Sequence, residues 1–127
     1  MLESLALVCL TMNVYWEARN QDIAGQLAVA QVTMNRVASE YYPNSVCEVV
    51  HQHKQFSWYW DGKSDIPKEE KAWETAMMVA SAAMAGSGHA ELENVTHYHA
   101  VYVKPYWKDS MAKVAQIGDH VFYTTGM

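Results

Sequence analysis

Apolar residues in the N-terminal third of the chain recur at steps of three and four, the spacing of one helical face. The first helix is predicted over about Glu3 to Ala18, and we expect its apolar face to be mostly core. The second is predicted from Ile23 to Val37, with Asn20 and Asp22 before it offering turn and N-cap chemistry. Gly25 inside it suggests a close crossing with the first helix, although an incidental glycine is equally compatible. The stripe of the first helix comprises Leu5, Val8, Cys9, Met12 and Trp16.

Two more helices are predicted beyond this pair. A short third helix carries Val46, Val49 and Val50 and should end near Gln52. The fourth is predicted to begin after Asp65 and Pro67, which favour a helix start, and to end at Gly86. Its predicted buried stripe comprises Trp73, Met77, Ala80 and Met84.

The C-terminal part favours strands. Residues 95–103 read as one strand, and residues 113–117 with 120–124 read as a hairpin that turns at Gly118-Asp119. The sequence therefore predicts an α+β, mainly helical fold with a small antiparallel sheet, and residues 1–127 form one domain.

Between the third and fourth helices, residues 51–63 alternate polar groups with four rings, Phe56, Trp58, Tyr59 and Trp60. Such a stretch fits either a binding wall or a hairpin that covers the edge of the core.

Composition narrows the function. Half of the 127 residues are hydrophobic and the net charge is −5, which argues against a nucleic-acid binder that needs a basic face. The N-terminus lacks a basic leader and a cleavage site, so we expect neither a signal peptide nor a membrane span. Cys9 and Cys47 have no metal spacing, and buried free thiols are favoured over a disulfide, which would allow folding in a reducing cytoplasm.

Glu17 is the candidate catalytic residue, because it lies beside Tyr15 and Trp16 near the end of an apolar helix. Desolvation disfavours the ionised form, so packing against either ring would raise its pKa from about 4.3 and let it donate a proton. The alternative is a last-turn residue that pairs with Arg19 or solvent.

His97 and His99 lie two apart on a predicted strand and should share a face, which His120 could approach. Three imidazoles could hold zinc with Glu17 as base, but no HExxH spacing supports this alternative, and we predict no metal and no cofactor. Asp22 or Asp61 could be a second carboxylate to Glu17, although the sequence cannot place either one.

Five blocks follow one another along the chain: MNVYWEARNQ, GQLAVAQVTMNRV, SVCEVVHQHKQFSW, THYHAVYVKPYW and IGDHVFY. In this order they resemble the SleB-type cell-wall hydrolase family of spore cortex-lytic enzymes and their phage relatives. The resemblance implies a lysozyme-like fold and cleavage of peptidoglycan glycan strands between N-acetylmuramic acid and N-acetylglucosamine, usually as a lytic transglycosylase. It places the catalytic acid on Glu17. The family's QFSW and HYH blocks fall on Gln55, Phe56, Ser57, Trp58, His97, Tyr98 and His99, which would bind substrate.

Three departures from the family pattern matter. Its usual EARGE reads EARNQ here, so Asn20 and Gln21 replace the glycine and second acid. Its QFSWTCDG reads QFSWYWDG, so Trp60 replaces a cysteine that might pair with Cys47. Third, we expect neither the export signal nor the anchoring module that spore enzymes of this type often carry. A stand-alone catalytic domain of this kind resembles a phage or prophage endolysin, which we expect to be a monomer. Such a protein is made in the host cytoplasm and released to the wall by a separate holin. Muramidase hydrolysis, or a wall-binding phage protein without turnover, are the alternatives.

Overall fold

The computed structural model describes residues 2–52 and 69–125. Within them the chain forms a helical body and a small sheet, which confirms the predicted mainly helical α+β class. The helices are α1 (Leu2–Ala18), α2 (Ile23–Ala38), α3 (Val46–Gln52) and α4 (Glu70–Met84). The strands are β1 (His97–Ala100), β2 (Ala112–Ile117) and β3 (His120–Thr124), and short 3-10 turns span Ala90–Leu92 and Lys108–Ser110. Among the described residues, no helix combines the length and apolarity that crossing a membrane requires.

The main hydrophobic cluster lies where the four helices meet, around Leu10, Val14 and Tyr15 of α1. The predicted stripes are partly wrong. Leu5 and Val8 are 56% and 49% exposed, and Met77 of α4 is 40% exposed. Helix α1 carries apolar residues around most of its circumference, so spacing alone could not identify the buried face.

The predicted helix ends at Asp22 and Gly86 are confirmed. Asp22 caps α2, because its Oδ1 accepts a hydrogen bond of 2.8 Å from the Gly25 N–H. Gly86 has a φ of +103° and follows the last turn of α4. The Ser87 N–H then donates to the Ala82 carbonyl at 2.9 Å, which closes the helix end.

The sheet has the order β1-β3-β2, and both pairs are antiparallel. The predicted hairpin and its turn at Gly118-Asp119 are confirmed. The predicted first strand is too long, because β3 begins at His120, opposite Ala100, and offers β1 no partner beyond that point. The chain turns away there, with the Val101 N–H donating to the Asp119 carbonyl at 2.8 Å.

Gln21 fastens the sheet to the connection between α1 and α2. Its Nε2 donates to Asp119 Oδ2 and its Oε1 accepts from the Asp119 backbone N–H, both at 3.0 Å. A glutamate at position 21 could not donate and would face the Asp119 carboxylate. Gly25 also serves this connection, since a Cβ there would lie 3.0 Å from the Gln21 Cβ.

The expectation of two free thiols is wrong, because Cys9 of α1 and Cys47 of α3 form a disulfide. Their Cα atoms are 5.2 Å apart, within the range that a disulfide spans. The crosslink joins residues 38 apart in sequence. The packing of α3 on α1 that brings the two cysteines together could not be derived from their spacing.

Loss of this crosslink should destabilise the fold. A Cys9→Ala/Cys47→Ala double variant should lose about 2–4 kcal/mol of unfolding free energy, because the unfolded chain gains the freedom that the crosslink removes. Urea denaturation of the parent and the variant measures the difference. Adding a reductant should shift the parent curve towards that of the variant and leave the variant unchanged. Equal stabilities without reductant would contradict the prediction.

Candidate active site

Glu17 lies in the last turn of α1, half-buried, with its carboxyl group turned to the sheet. Tyr98 of β1 donates its phenolic O–H to Glu17 Oε1 at 2.9 Å. This hydrogen bond joins the end of the first helix to the first strand and fixes one oxygen of the carboxyl group. The structure thus brings together two of the residues that the sequence proposed for the site.

Tyr98 is restricted to the role of donor. Burial raises its pKa well above 10, and the Glu17 carboxylate raises it further by its charge and by accepting the hydrogen bond. The phenol therefore keeps its proton at any ordinary pH. Its ring packs against His120 and Phe122, with centroid distances of 5.2 and 5.7 Å.

Arg19, the residue that the sequence offered as a partner for Glu17, has other contacts. Its guanidinium lies over the rings of Tyr15 and Trp16, at 4.8 and 5.0 Å from their centroids. Its Nε pairs with Glu69 Oε1 at 3.3 Å. Both partners of this pair are partly exposed, so it adds little stability.

His97 and His99 lie on the face of the sheet opposite Tyr98. There they meet Trp107, at centroid distances of 5.4 and 5.8 Å. Tyr123 of β3 completes the group by stacking on His99 at 5.3 Å. These four residues form what we call the outer aromatic cluster: His97, His99, Trp107 and Tyr123.

Hydrogen bonds fix the tautomer of His99. Its Nδ1 lies 2.7 Å from the carbonyl of Ala100, which can only accept, so Nδ1 carries a proton. In the neutral ring Nε2 then accepts from the Tyr123 O–H at 2.9 Å.

His97 favours its neutral form. Burial lowers its pKa below 6.5, and the positive charge of Arg36 lowers it further. Its Nδ1 lies 3.0 Å from the Thr96 hydroxyl. A neutral imidazole near pH 7 suits recognition of uncharged hydroxyl or amide groups.

His120 does not join the other two histidines. Its side chain points to the face of the sheet opposite that of its neighbour Val121. There it lies on the buried face beside Tyr98 and Phe122. The three-histidine zinc site is therefore wrong in its geometry. Within residues 2–52 and 69–125, no three side chains of the metal-binding types are grouped to hold an ion.

The chain is similar to a known protein family over most of its length. A sequence model described as cell wall hydrolase matches residues 20–123. The chain belongs to the cell wall hydrolase family. This confirms the family that the sequence predicted. Glu17 lies three positions before the matched region, so its role rests on the motif and on the geometry above.

Solved structures support the same fold. The catalytic domain of the germination-specific lytic transglycosylase SleB from Bacillus anthracis matches with a TM-score of 0.78 at 28% identity, over 94% of this chain and 93% of that domain. The catalytic domain of Bacillus cereus SleB matches with a TM-score of 0.76, also at 28% identity, over 94% of this chain and 91% of that domain. The predicted lysozyme-like class is thereby confirmed.

Longer relatives match in part. Spore cortex-lytic enzyme of Oceanobacillus iheyensis is 31% identical over 109 residues, which are 86% of this chain and 38% of the relative. The Bacillus subtilis enzyme of the same name is 30% identical over 113 residues, or 89% of this chain and 35% of the relative. This member of the cell wall hydrolase family thus spans less than two fifths of the length of these two relatives.

Some residues near the site were not predicted from the sequence, and some predicted ones lie outside the described residues. Trp107 and Tyr123 fall within the quoted family blocks. The strand register brings Tyr123 opposite His97, and the turn before Lys108–Ser110 brings Trp107 against both histidines. Arg36 lies within the second predicted helix, and the sequence indicated no role for it at the site. Its positive charge lowers the pKa of both His97 and Tyr98. Gln55, Phe56, Ser57 and Trp58 lie outside the described residues, as do Asp61, Asp65 and Pro67.

Protonation of His120 should destabilise the fold. Burial lowers its pKa below 6.5, which outweighs the opposing charge of Asp119, and the charge of His99 adds to the lowering. The unfolded chain therefore binds this proton at a higher pH than the folded chain, so the free energy of unfolding falls as the pH drops below about 6.5.

A His120→Asn variant should show a shallower fall than its parent, by up to about 1.4 kcal/mol per pH unit. Urea denaturation between about pH 7 and pH 5, the range in which an ordinary histidine titrates, measures the slope. Identical slopes for the His120→Asn variant and the parent would contradict the prediction.

Proposed function

We propose that this chain is a catalytic domain that cleaves peptidoglycan glycan strands between N-acetylmuramic acid and N-acetylglucosamine as a lytic transglycosylase. Glu17 is the acid and then the base. The observation that carries the proposal is the Tyr98 to Glu17 hydrogen bond, which fixes a half-buried carboxyl group beside the strand that bears the HYH block. The match to the catalytic domain of a germination-specific lytic transglycosylase supports the same reaction.

The reaction needs one protein carboxyl group. Protonated Glu17 gives its proton to the glycosidic oxygen, and the bond between that oxygen and the anomeric carbon breaks. The N-acetyl oxygen of the muramyl residue stabilises the positive charge at the anomeric carbon. Ionised Glu17 then takes the proton of the muramyl 6-hydroxyl. The oxygen of that hydroxyl bonds to the anomeric carbon at the same time. A 1,6-anhydro end forms, no water is consumed, and Glu17 is protonated again.

Tyr98 supports the second half of this cycle. An O–H that donates to a carboxylate stabilises the ionised form, which exists after the proton has left for the leaving group. Half-burial of Glu17 favours the protonated form that begins the cycle. His97 and His99 are proposed to bind sugar hydroxyl or amide groups beside the Trp107 ring, and the QFSW residues Gln55, Phe56, Ser57 and Trp58 are proposed to line the same cleft.

The changes at Asn20 and Gln21 do not argue for a chain without turnover. Gln21 is occupied in holding Asp119, and Asn20 is exposed beside it. Their replacement of the family's glycine and acid therefore affects the joint between helices and sheet. The motive for the wall-binding alternative is correspondingly weak.

The Cys9 to Cys47 disulfide favours an oxidising compartment, such as the outer side of a membrane, where such bonds persist. This bears against long residence in a reducing host cytoplasm. The phage endolysin origin, release by a holin and the monomeric state stay predictions. A denaturing gel of the protein from its native source, with thiols blocked at lysis, would report the redox state of both cysteines.

Replacement of the proposed acid should abolish activity. Glu17→Gln keeps the size of the side chain but carries no transferable proton, so release of muropeptides from sacculi should fall at least about a hundredfold. Circular dichroism should show an unchanged fold. Glu74→Gln, at an exposed position on α4, is the matched control and should keep full activity. Full activity of Glu17→Gln would end the proposal.

Mass spectrometry of the parent's products identifies the reaction. Each anhydro end is lighter by one water than a reducing muramic end. Reducing ends throughout would assign muramidase hydrolysis with the same acid in place of transglycosylation.

Removal of the Tyr98 hydroxyl tests the hydrogen bond itself. Tyr98→Phe keeps the packing on Phe122 but removes a donor to a charged group, a contact worth about 1.5–3 kcal/mol, so turnover should fall roughly ten- to hundredfold. The alkaline limb of the pH–activity profile, where Glu17 loses the proton that starts the cycle, should move to higher pH, because the ionised carboxylate loses its donor. Tyr102→Phe, at a position 84% exposed, is the control. An unaltered rate and profile for Tyr98→Phe would show that the contact plays no part in turnover.

A further inference from the structure

A cavity of about 350 Å³ lies between the C-terminal end of α2 and the start of β1. Its volume falls at the lower end of the range typical of small-ligand sites. His97 forms part of its wall, together with Asn35, Ser39, Tyr41, Tyr42 and Thr96. No step of the proposed reaction uses this cavity.

The walls are held by hydrogen bonds that leave the cavity formed without a ligand. Both N–H groups of the Asn35 amide are used on backbone carbonyls, those of Leu92 at 2.9 Å and Val95 at 2.8 Å. Arg36 donates to the Thr96 carbonyl at 2.9 Å and lies over the Tyr42 ring at 5.1 Å. Helix α2 is thereby fixed to the segment that leads into β1.

The lining chemistry suits a sugar that carries an N-acetyl group. Because both donors of Asn35 are engaged, the atom that it offers a ligand is its acceptor, Oδ1. Hydroxyls of Ser39 and Thr96 and the neutral imidazole of His97 add donors and acceptors. Tyr41 presents a ring that is 71% exposed, a flat surface for the C–H face of a sugar.

The cavity and the proposed active site share the strand β1. His97 lines the cavity, and its neighbour Tyr98 holds Glu17. The two side chains leave opposite faces of the strand, so a glycan that reaches both must cross the edge of β1. In the described part of the chain that edge has no strand partner, because β1 is the end strand of the order β1-β3-β2. Its backbone groups can hydrogen-bond amides of a passing glycan.

From these observations we propose that the cavity is an accessory glycan subsite that binds an N-acetylhexosamine residue of the strand, away from the bond that is cut. The inference rests on the proposed function for the identity of the polymer. It adds a specificity element, in which Tyr41 stacks on the sugar and Asn35 accepts from its amide N–H. The enzyme should therefore favour long strands over short fragments.

The test measures binding of chitohexaose, the six-residue oligomer of N-acetylglucosamine, by calorimetry in the Glu17→Gln background, where no cleavage occurs. Tyr41→Ala should weaken binding about five- to tenfold, and Tyr41→Trp should restore it. Tyr102→Ala, which removes an exposed tyrosine outside the cavity lining, is the matched control and should bind like its parent. With Glu17 present, Tyr41→Ala should lower kcat/KM on intact sacculi by a similar factor.

Several results would overturn the subsite. They are equal binding by Tyr41→Ala and its parent, an equal loss in Tyr102→Ala, or no binding of chitohexaose by the parent. Dependence on Tyr41 that is seen only with muropeptides carrying peptide stems would assign the cavity to the peptide instead. Failure of the proposed function is distinguishable, because a protein that releases no muropeptide but binds chitohexaose through Tyr41 retains the subsite and loses the reaction.

Discussion

The hydrogen bond from Tyr98 to Glu17 is the contact on which the arrangement of the site depends. It joins the end of α1 to β1, elements separated by 81 positions in the chain. Tyr98 packs against Phe122 and His120 on its face of the sheet, and Phe122 belongs to a buried cluster with residues of α1 and α2. Packing of the sheet therefore sets the position of the proposed acid.

Polar contacts at two corners hold the sheet in that position. Gln21 binds Asp119 at the turn between β2 and β3, and Asn35 and Arg36 bind the carbonyls that precede β1. These residues lie between helices and sheet, where displacement would move Tyr98 relative to Glu17. A departure from the family pattern at position 21 is thus accommodated by a partner, Asp119, that accepts from an amide.

Local signals predicted much of this fold. The cap at Asp22, the stop at Gly86 and the turn at Gly118-Asp119 depend on neighbouring residues alone, and each appears where the sequence placed it. The buried face of α1 could not be predicted in the same way, because a helix that is apolar nearly all round contains no preferred stripe. For this reason the spacing predicts burial of Leu5 and Val8, which are exposed in the structure.

Contacts between distant segments required the structure. The spacing of Cys9 and Cys47 favours two free thiols, yet α3 packs on α1 and pairs the two cysteines. The zinc alternative failed on register, since one residue of offset puts His120 on the face of Tyr98 and away from His97 and His99. The family blocks predict Glu17, Tyr98, His97 and His99 as site residues, and alternation along a strand already separates Tyr98 from the two histidines. The partners of each face, Phe122 on one side and Tyr123 on the other, required the structure.

That division has a chemical consequence. A group that serves as acid and then base must be acceptable in both protonation states. The Tyr98 O–H stabilises the charged form that Glu17 takes after its proton has left. Because Tyr98 keeps its own proton, it can assist without competing for the one that is transferred. In the proposed function the outer face, with two histidines among aromatic rings, holds the sugars. The proposal therefore places catalysis and recognition on opposite sides of a single four-residue strand.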